Sequence, residues 1–391
     1  MTDTTPSRSC AGGSAPVERI VVVTTSFPRT ADDAAGHFVE AQAQALASQG
    51  HDVHVICAGG TWRQTPEQRG KITIHWAGGG GLFTWPGALS RLREAPWRAV
   101  ELLSYAAGVR WRLKKLGPVQ RAEAHWLVPS AWPLLAACDV PLTVVAHGAD
   151  VRLLCSLPRA LRRHIVDHLL GREANFRFVA QDLERQLLDR LDPHQAAAVA
   201  RRSKVQPCPL TIPAASKPSA ATRAATRRAL GCPASAPLAV VVGRLVVDKR
   251  VDLAIRGTAQ MPTPPHLAVI GGGPLRTTLQ QLAQRLGVAA TFVGQRPRSE
   301  CLAAIAAADV LVHCSAVEAA PSVIREARAY GIAVVATPSG DVGRWAEQDP
   351  QIVTAAPNPP AIAAALQAVL ERRNPAPRLQ NDPTRGTNPS C

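Results

Sequence analysis

ADVLVHCSAVEAAPSVIREARAYGIAVVAT, residues 308–337, reads as a strand, a loop, a helix and a second strand. Val310, Leu311 and Val312 form a short apolar run. Pro321 suits the first turn of a helix, where its missing N–H costs nothing. Gly331 is a good helix stop, and 332–336 is a β-branched run of the kind buried in parallel sheets. Two carboxylates stand out, Glu318 on the loop and Glu326 about one turn into the helix, with seven residues between them. The unpaired N–H groups of the first helical turn, near Ser322, Val323 and Ile324, make an anion site backed by the helix dipole. Carboxylates repel phosphate, so Glu318 and Glu326 should meet something neutral, and sugar hydroxyls fit. A nucleoside diphosphate-sugar offers a ribose, a diphosphate and a sugar ring in that order. The plainer reading of both residues is a pair of solvated surface charges.

The sequence before this stretch adds cations. LAVVVG (238–243) is a buried strand that runs into Arg244-Leu245-Val246-Val247-Asp248-Lys249-Arg250 and then a helix from Asp252. Cations at a helix start are unfavourable unless an anion joins them, so Arg244 and Lys249 read as a diphosphate clamp. Residues 266–270 form a strand, Gly271-Gly272-Gly273-Pro274-Leu275 a tight turn, and a helix runs on to Arg285. ATFVG (290–294) is another strand, and 299–308 a helix.

The first half opens with ERIVVVTT (18–25), a helix over 36–49 and DVHVIC (52–57). Strand, helix, strand predicts a parallel doubly wound sheet. No Gly-x-Gly-x-x-Gly follows the first strand, so a dinucleotide fingerprint is absent. KITIHW (71–76) alternates as a strand, and PLTVVA (141–146) is a strand followed by His147-Gly148-Ala149-Asp150. Strand ends of this kind are where doubly wound sheets place ligands. Residues 176–180 read as a short strand, 205–222 as a proline-rich linker, and 360–371 as a last helix.

In order and spacing, Gly243-Arg244-Leu245 with Lys249, the Gly271–Leu275 turn and Glu318-Ala319-Ala320-Pro321 with Glu326 resemble the retaining glycosyltransferases of family 4 (glycosyl transferases group 1), which have the GT-B fold. Ser26-Phe27-Pro28-Arg29 with Gly36-His37-Phe38-Val39, the AEAHWLVP segment (122–129) and His147-Gly148-Ala149-Asp150 extend the resemblance into the first half. The match is good over 225–337 and patchy over 18–150. It implies two Rossmann-like domains facing across a cleft, 17–204 on the acceptor side and 223–372 on the donor side. It implies that Glu326 holds the donor ribose and that Glu318 and His147 lie beside the transferred sugar. Arg244, Lys249, Ser322, Gly272 and Gly36 should approach the donor, and Asp150 and His125 the acceptor. Ala319 departs from the usual glycine, the linker lacks Pro-Asn-Gly-Val-Asp, and no late Asp-Gly-x-x-Gly turn occurs.

Composition sets the outer bounds. The net charge is +15, mostly from arginine, which points to anionic partners. No nucleic-acid motif is visible, so a basic surface over 88–116 (Arg91, Arg93, Arg98, Arg110, Arg112, Lys114, Lys115, with Trp97 and Trp111) could meet an anionic membrane. An ordinary solvated basic face is the alternative. The nine cysteines are scattered without a Cys-x2-Cys pair, so neither a disulfide framework nor a metal site is expected. No run approaches the length of a membrane span. Residues 1–16 are polar without an apolar core and read as a disordered start rather than a secretory signal; 373–391 read as a disordered tail. The expected location is cytoplasmic, peripheral on the inner membrane face. The expected activity is transfer of a sugar from a UDP- or GDP-sugar to a glycan or lipid-linked acceptor, in envelope or exopolysaccharide synthesis and with no cofactor. Two other readings fit the same motifs: an inactive homologue that binds partners in polysaccharide assembly, and a nucleotide-sugar epimerase.

Overall fold

The computed structural model describes residues 17–373, apart from 31, 32, 34, 85–87, 211 and 213–217. Apart from Arg373, which ends the last helix, the expected disordered ends and the middle of the expected linker lie outside the described residues. Two compact units divide the chain. The first is Met1–Phe27, Val39–Arg177 and Leu191–Lys204; the second is Pro28–Phe38, Phe178–Arg190 and Val205–Cys391. Each unit is therefore assembled from separate chain segments.

The first sheet has eight strands: β1 (Arg19–Thr24), β2 (Asp52–Cys57), β3 (Glu67–Arg69), β4 (Ile72–Trp76), β5 (Arg121–His125), β6 (Leu142–Ala146), β7 (Asn175–Phe178) and β8 (Ser203–Val205). Their order is β3-β4-β2-β1-β5-β6-β7-β8. β1 pairs in parallel with β2 on one side and β5 on the other, so the winding reverses at β1. β5 was legible only as a motif, not as a strand, because Glu123 and His125 interrupt its apolar pattern. Glu123 is nonetheless 4% exposed; Arg177 lies 3.5 Å from it and Gln42 bonds it at 3.4 Å. The helix His37–Ser48 buries Val39, Ala41, Gln42, Ala43, Leu46 and Ala47, while Phe38 is only half-buried.

The second unit carries β9 (Leu238–Val242), β10 (His266–Ile270), β11 (Ala290–Gly294), β12 (Val310–His313), β13 (Ala333–Ala336) and β14 (Ile352–Thr354). The order is β11-β10-β9-β12-β13-β14, and every pairing is parallel. Neighbouring residues point to opposite faces: Val241, Val310 and Val312 pack with the helix Val251–Ala259 and the last helix, Pro359–Arg373. Val240, Leu311 and Val334 pack with Ile305 and Ile324 on the other side. Both faces are covered, which is why these strands read as continuous apolar runs. The winding reverses between β9 and β12.

Two loops meet at the carboxyl ends of β9 and β10. Leu245 N–H donates to the Gly272 carbonyl at 2.9 Å, and Gly243 N–H to the Ile270 carbonyl at 3.0 Å. The approach demands Gly271: its φ is +145°, and a Cβ there would lie 1.8 Å from the Gly243 carbonyl oxygen. Gly271→Ala should destabilise the protein by at least the roughly 1–3 kcal/mol of a strained backbone residue, read as a lowered urea midpoint. An unchanged midpoint would show that the loops do not need this contact.

Candidate functional site

In doubly wound sheets ligands bind outside the carboxyl ends of the strands, where the winding reverses. In the second unit that point lies between β9 and β12. β9 leads into Arg244, which is exposed, and on to a short 3-10 turn, Val247–Lys249. Arg250 follows with a left-handed backbone (φ +45°, ψ +45°), a strained choice for arginine that starts the next helix. β12 leads into the loop that carries Glu318. Lys249 Nζ donates to Glu318 Oε1, joining the two sides of the reversal. His313, the last residue of β12, places Nε2 3.2 Å from the same oxygen. Burial by itself pushes the Glu318 carboxyl up, but His313 and the Lys249 charge outweigh it and hold it down at about 2. Glu318 is thus an anion at any physiological pH.

The loop is seated from two directions. Ala316 N–H and Ser315 Oγ donate to the Asp248 carbonyl, at 2.7 and 3.2 Å. Asp341 N–H donates to the Ala319 carbonyl at 3.1 Å, and a Cβ on Gly340 would lie 2.4 Å from that same oxygen. Ala319 itself keeps an ordinary backbone, since among the described residues only Trp126, Glu173 and Arg250 are non-glycines with positive φ. The substitution of alanine for the usual glycine therefore carries no backbone strain here.

The helix Ser322–Ala329 begins after Pro321, and no side chain caps its first turn. Glu326, 5% exposed, accepts from Arg298 Nη1 at 2.8 Å, and His37 Nε2 stands 3.7 Å away. His37 belongs to the Pro28–Phe38 segment of the second unit, just after Gly36, which is buried with φ +70°. Glu318 and Glu326 thus hold separate partners. Arg298 and His313 escaped the reading of the sequence. Arg298 had a usable signal: it is the first residue of the helix Arg298–Ala307, where a cation is disfavoured unless an anion answers it. His313 had none, because a histidine ending an apolar strand reads as core.

In the first unit, β5 and β6 carry His125 and His147 at their carboxyl ends. Nδ1 of His125 and Nε2 of His147 are 2.9 Å apart, and the two rings stack. The Trp126 ring lies 4.8 Å from His147, on a backbone with φ +70°, unusual for an aromatic residue. Burial, with the Arg177 charge behind it, brings His147 down to about 3. Burial, His147 and Arg177 push His125 well below its ordinary range. Both rings are therefore neutral donors and acceptors near neutral pH. Asp150, expected toward the acceptor, has its carboxylate turned to the backbone: it accepts from Leu127 N–H at 2.9 Å, Gly148 N–H at 2.8 Å and His147 N–H at 3.1 Å. The structure makes it a scaffold residue that ties the two strand ends together.

Residues 222–383 match the family model described as glycosyl transferases group 1. The putatively named teichuronic acid biosynthesis glycosyltransferase TuaC of Bacillus subtilis is 22% identical over 388 residues, covering 93% of this chain and 92% of that protein. Glycogen synthase of Mycobacterium tuberculosis is 29% identical over 380 residues, 90% of this chain and 86% of that one. The Anabaena protein HepE, solved with UDP and glucose, superposes with a TM-score of 0.63 at 17% identity, over 91% of each chain. The fold is GT-B.

The histidines set a pH dependence. A group whose folded pKa is lowered binds fewer protons folded than unfolded, so stability falls as pH drops from the unfolded value near 6.5 toward the folded one. For His147 that window runs from about 6.5 down to about 3. Thermal midpoints between neutral pH and about pH 4 should fall less steeply in His147→Gln than in wild type. Identical slopes would show that His147 titrates normally.

Proposed function

We propose that this glycosyl transferases group 1 module and its partner domain form a retaining glycosyltransferase that moves a sugar from a UDP- or GDP-sugar to a glycan or lipid-linked acceptor in envelope polysaccharide synthesis. The observation that carries the reading is the joining of Lys249 and Glu318 across the winding reversal, beside the uncapped start of the helix Ser322–Ala329. Breaking the sugar–phosphate bond leaves negative charge on the diphosphate. Arg244, Lys249 and the amides near Ser322 stabilise that charge as it grows, and the close-packed Gly272 loop lets the backbone approach it. Glu326 takes the ribose hydroxyls once Arg298 yields, and Glu318 meets the sugar ring. His147, neutral, binds hydroxyls rather than acting as a cation, with His125 behind it. Gly36 sits just before His37 at the Glu326 side. No metal is called for, because two cations and a helix start supply the positive charge. Retention follows from the family resemblance. The complex of HepE with UDP and glucose and the teichuronic acid pathway of TuaC support the donor class and the polysaccharide setting. The unstrained Ala319 removes a reason to read the chain as inactive.

The basic helices add a location. No helix among the described residues is long and apolar enough to cross a membrane. Yet Trp97, Val100 and Leu103 are 66%, 58% and 71% exposed, and Arg98 lies over the Trp97 ring. Trp111 instead packs against Trp62, and Arg112 is buried. An apolar ridge beside cations suits peripheral contact with an anionic bilayer, which would bring a lipid-linked acceptor within reach.

Two measurements test these statements. One of UDP, GDP or ADP should raise the melting temperature of the wild type, by an amount set by concentration over affinity, and Glu326→Ala should lose that shift. No shift with any of them would sink the donor assignment. Vesicles rich in anionic lipid should carry the protein upward in a flotation gradient, neutral vesicles should not, and Trp97→Ser/Leu103→Ser should float less. Equal flotation of variant and wild type would exclude this ridge as the contact.

A further inference from the structure

Glu318 depends on two groups that donor binding would treat differently. Lys249 and His313 meet at the same oxygen, Oε1, and are the charged and titratable side chains that act on this carboxylate. Lys249 comes from a turn and ends in a flexible ammonium. His313 is the last residue of β12, 7% exposed, with its carbonyl accepting from Thr337 N–H at 3.1 Å. Its Nε2 is buried and, although 3.2 Å from Oε1, makes no well-aligned hydrogen bond. A carboxylate this enclosed protonates unless a partner answers its charge, and one ammonium cannot give full strength to Glu318 and to a diphosphate at once.

We propose that His313 is the positioning residue that keeps Glu318 ionised and in place when Lys249 turns to the donor diphosphate. The inference rests on the reading of Lys249 as a diphosphate ligand. Glu318 is an anion, so Nε2 must carry the proton that faces it, and His313 acts as the hydrogen-bond donor. Removing the lysine from Oε1 frees the carboxylate to settle onto Nε2–H, which converts the off-angle approach into a hydrogen bond. Hydrogen bonds in apo sites are often loose in this way and tighten only in the complex. No proton is transferred. The strand end fixes the ring, so the carboxylate keeps its position while its counter-ion leaves.

The exchange can be imitated without any ligand. In the full-length protein, the carboxyl carbon of Glu318 is followed by NMR during an acid titration. Lys249→Met stands in for the donor-bound state, because its lysine charge is gone. In that variant Glu318 should remain ionised down to the ordinary glutamate range, about pH 4, despite its burial. Adding His313→Phe to Lys249→Met should lift the midpoint well above that range, while His313→Gln, which still offers an N–H, should restore most of the drop. If Phe and Gln give the same midpoint as His313 in the Lys249→Met background, the proposal is wrong. This titration decides the point even if the chain binds no nucleotide, which would overturn the donor reading alone.

Where turnover of UDP-glucose is measurable, His313→Phe should bind UDP within about threefold of wild type. Its kcat should fall roughly a hundredfold, the scale of a misplaced reacting group, and the acid limb of its kcat profile should move to higher pH. A loss confined to UDP affinity would assign His313 to the nucleotide instead and overturn the proposal.

Discussion

A carboxylate taken out of water must be answered by charge and by hydrogen bonds, or it protonates. Glu318 is answered by Lys249, which stands after β9, and by His313, which ends β12. Those two strands are neighbours only because the sheet reverses its winding between them. The order of strands and the chemistry of the site are therefore one constraint. The loops follow from it: Asp248 holds the Glu318 loop through its carbonyl on one side, and the turn at Gly340 and Asp341 holds it on the other.

The same logic governs Glu326 and Glu123. Each is nearly enclosed, and each meets an arginine, Arg298 and Arg177. Arginine suits such places because its guanidinium is always charged and weakly hydrated. The consequences differ. Arg298 occupies a carboxylate that the proposed reaction needs for ribose, so it must yield. Arg177 stays, and its charge helps keep His125 and His147 neutral. Two histidines that cannot readily become cations are hydrogen-bonding groups, which is the role sugar hydroxyls call for.

Glycine enters where backbones nearly touch. Gly271 lets the β9 and β10 loops join, and Gly340 rests on the carbonyls of Glu318 and Ala319. That second contact bears on the departure of Ala319 from the usual pattern. The close approach in this region is made by a glycine on the opposing loop, and Ala319 needs no left-handed backbone.

The parallel sheets, apart from the antiparallel edge strand β3, most strand positions and the Glu318, Glu326, Lys249 and Arg244 motifs were legible in the sequence. Strands buried on both faces are continuous apolar runs, and cations at a helix start advertise a missing anion. β5 was not legible as a strand, because its buried Glu123 breaks the pattern and Arg177, which compensates for it, lies far along the chain. Nor could sequence show that Asp150 spends its carboxylate on backbone amides, that Arg298 covers Glu326, or that His313 faces Glu318. Periodicity and local propensity act over a few residues, and they determined the elements and the residue types at their ends. Which distant charge answers which depends on strand order and loop closure, so only the tertiary structure decided the partners.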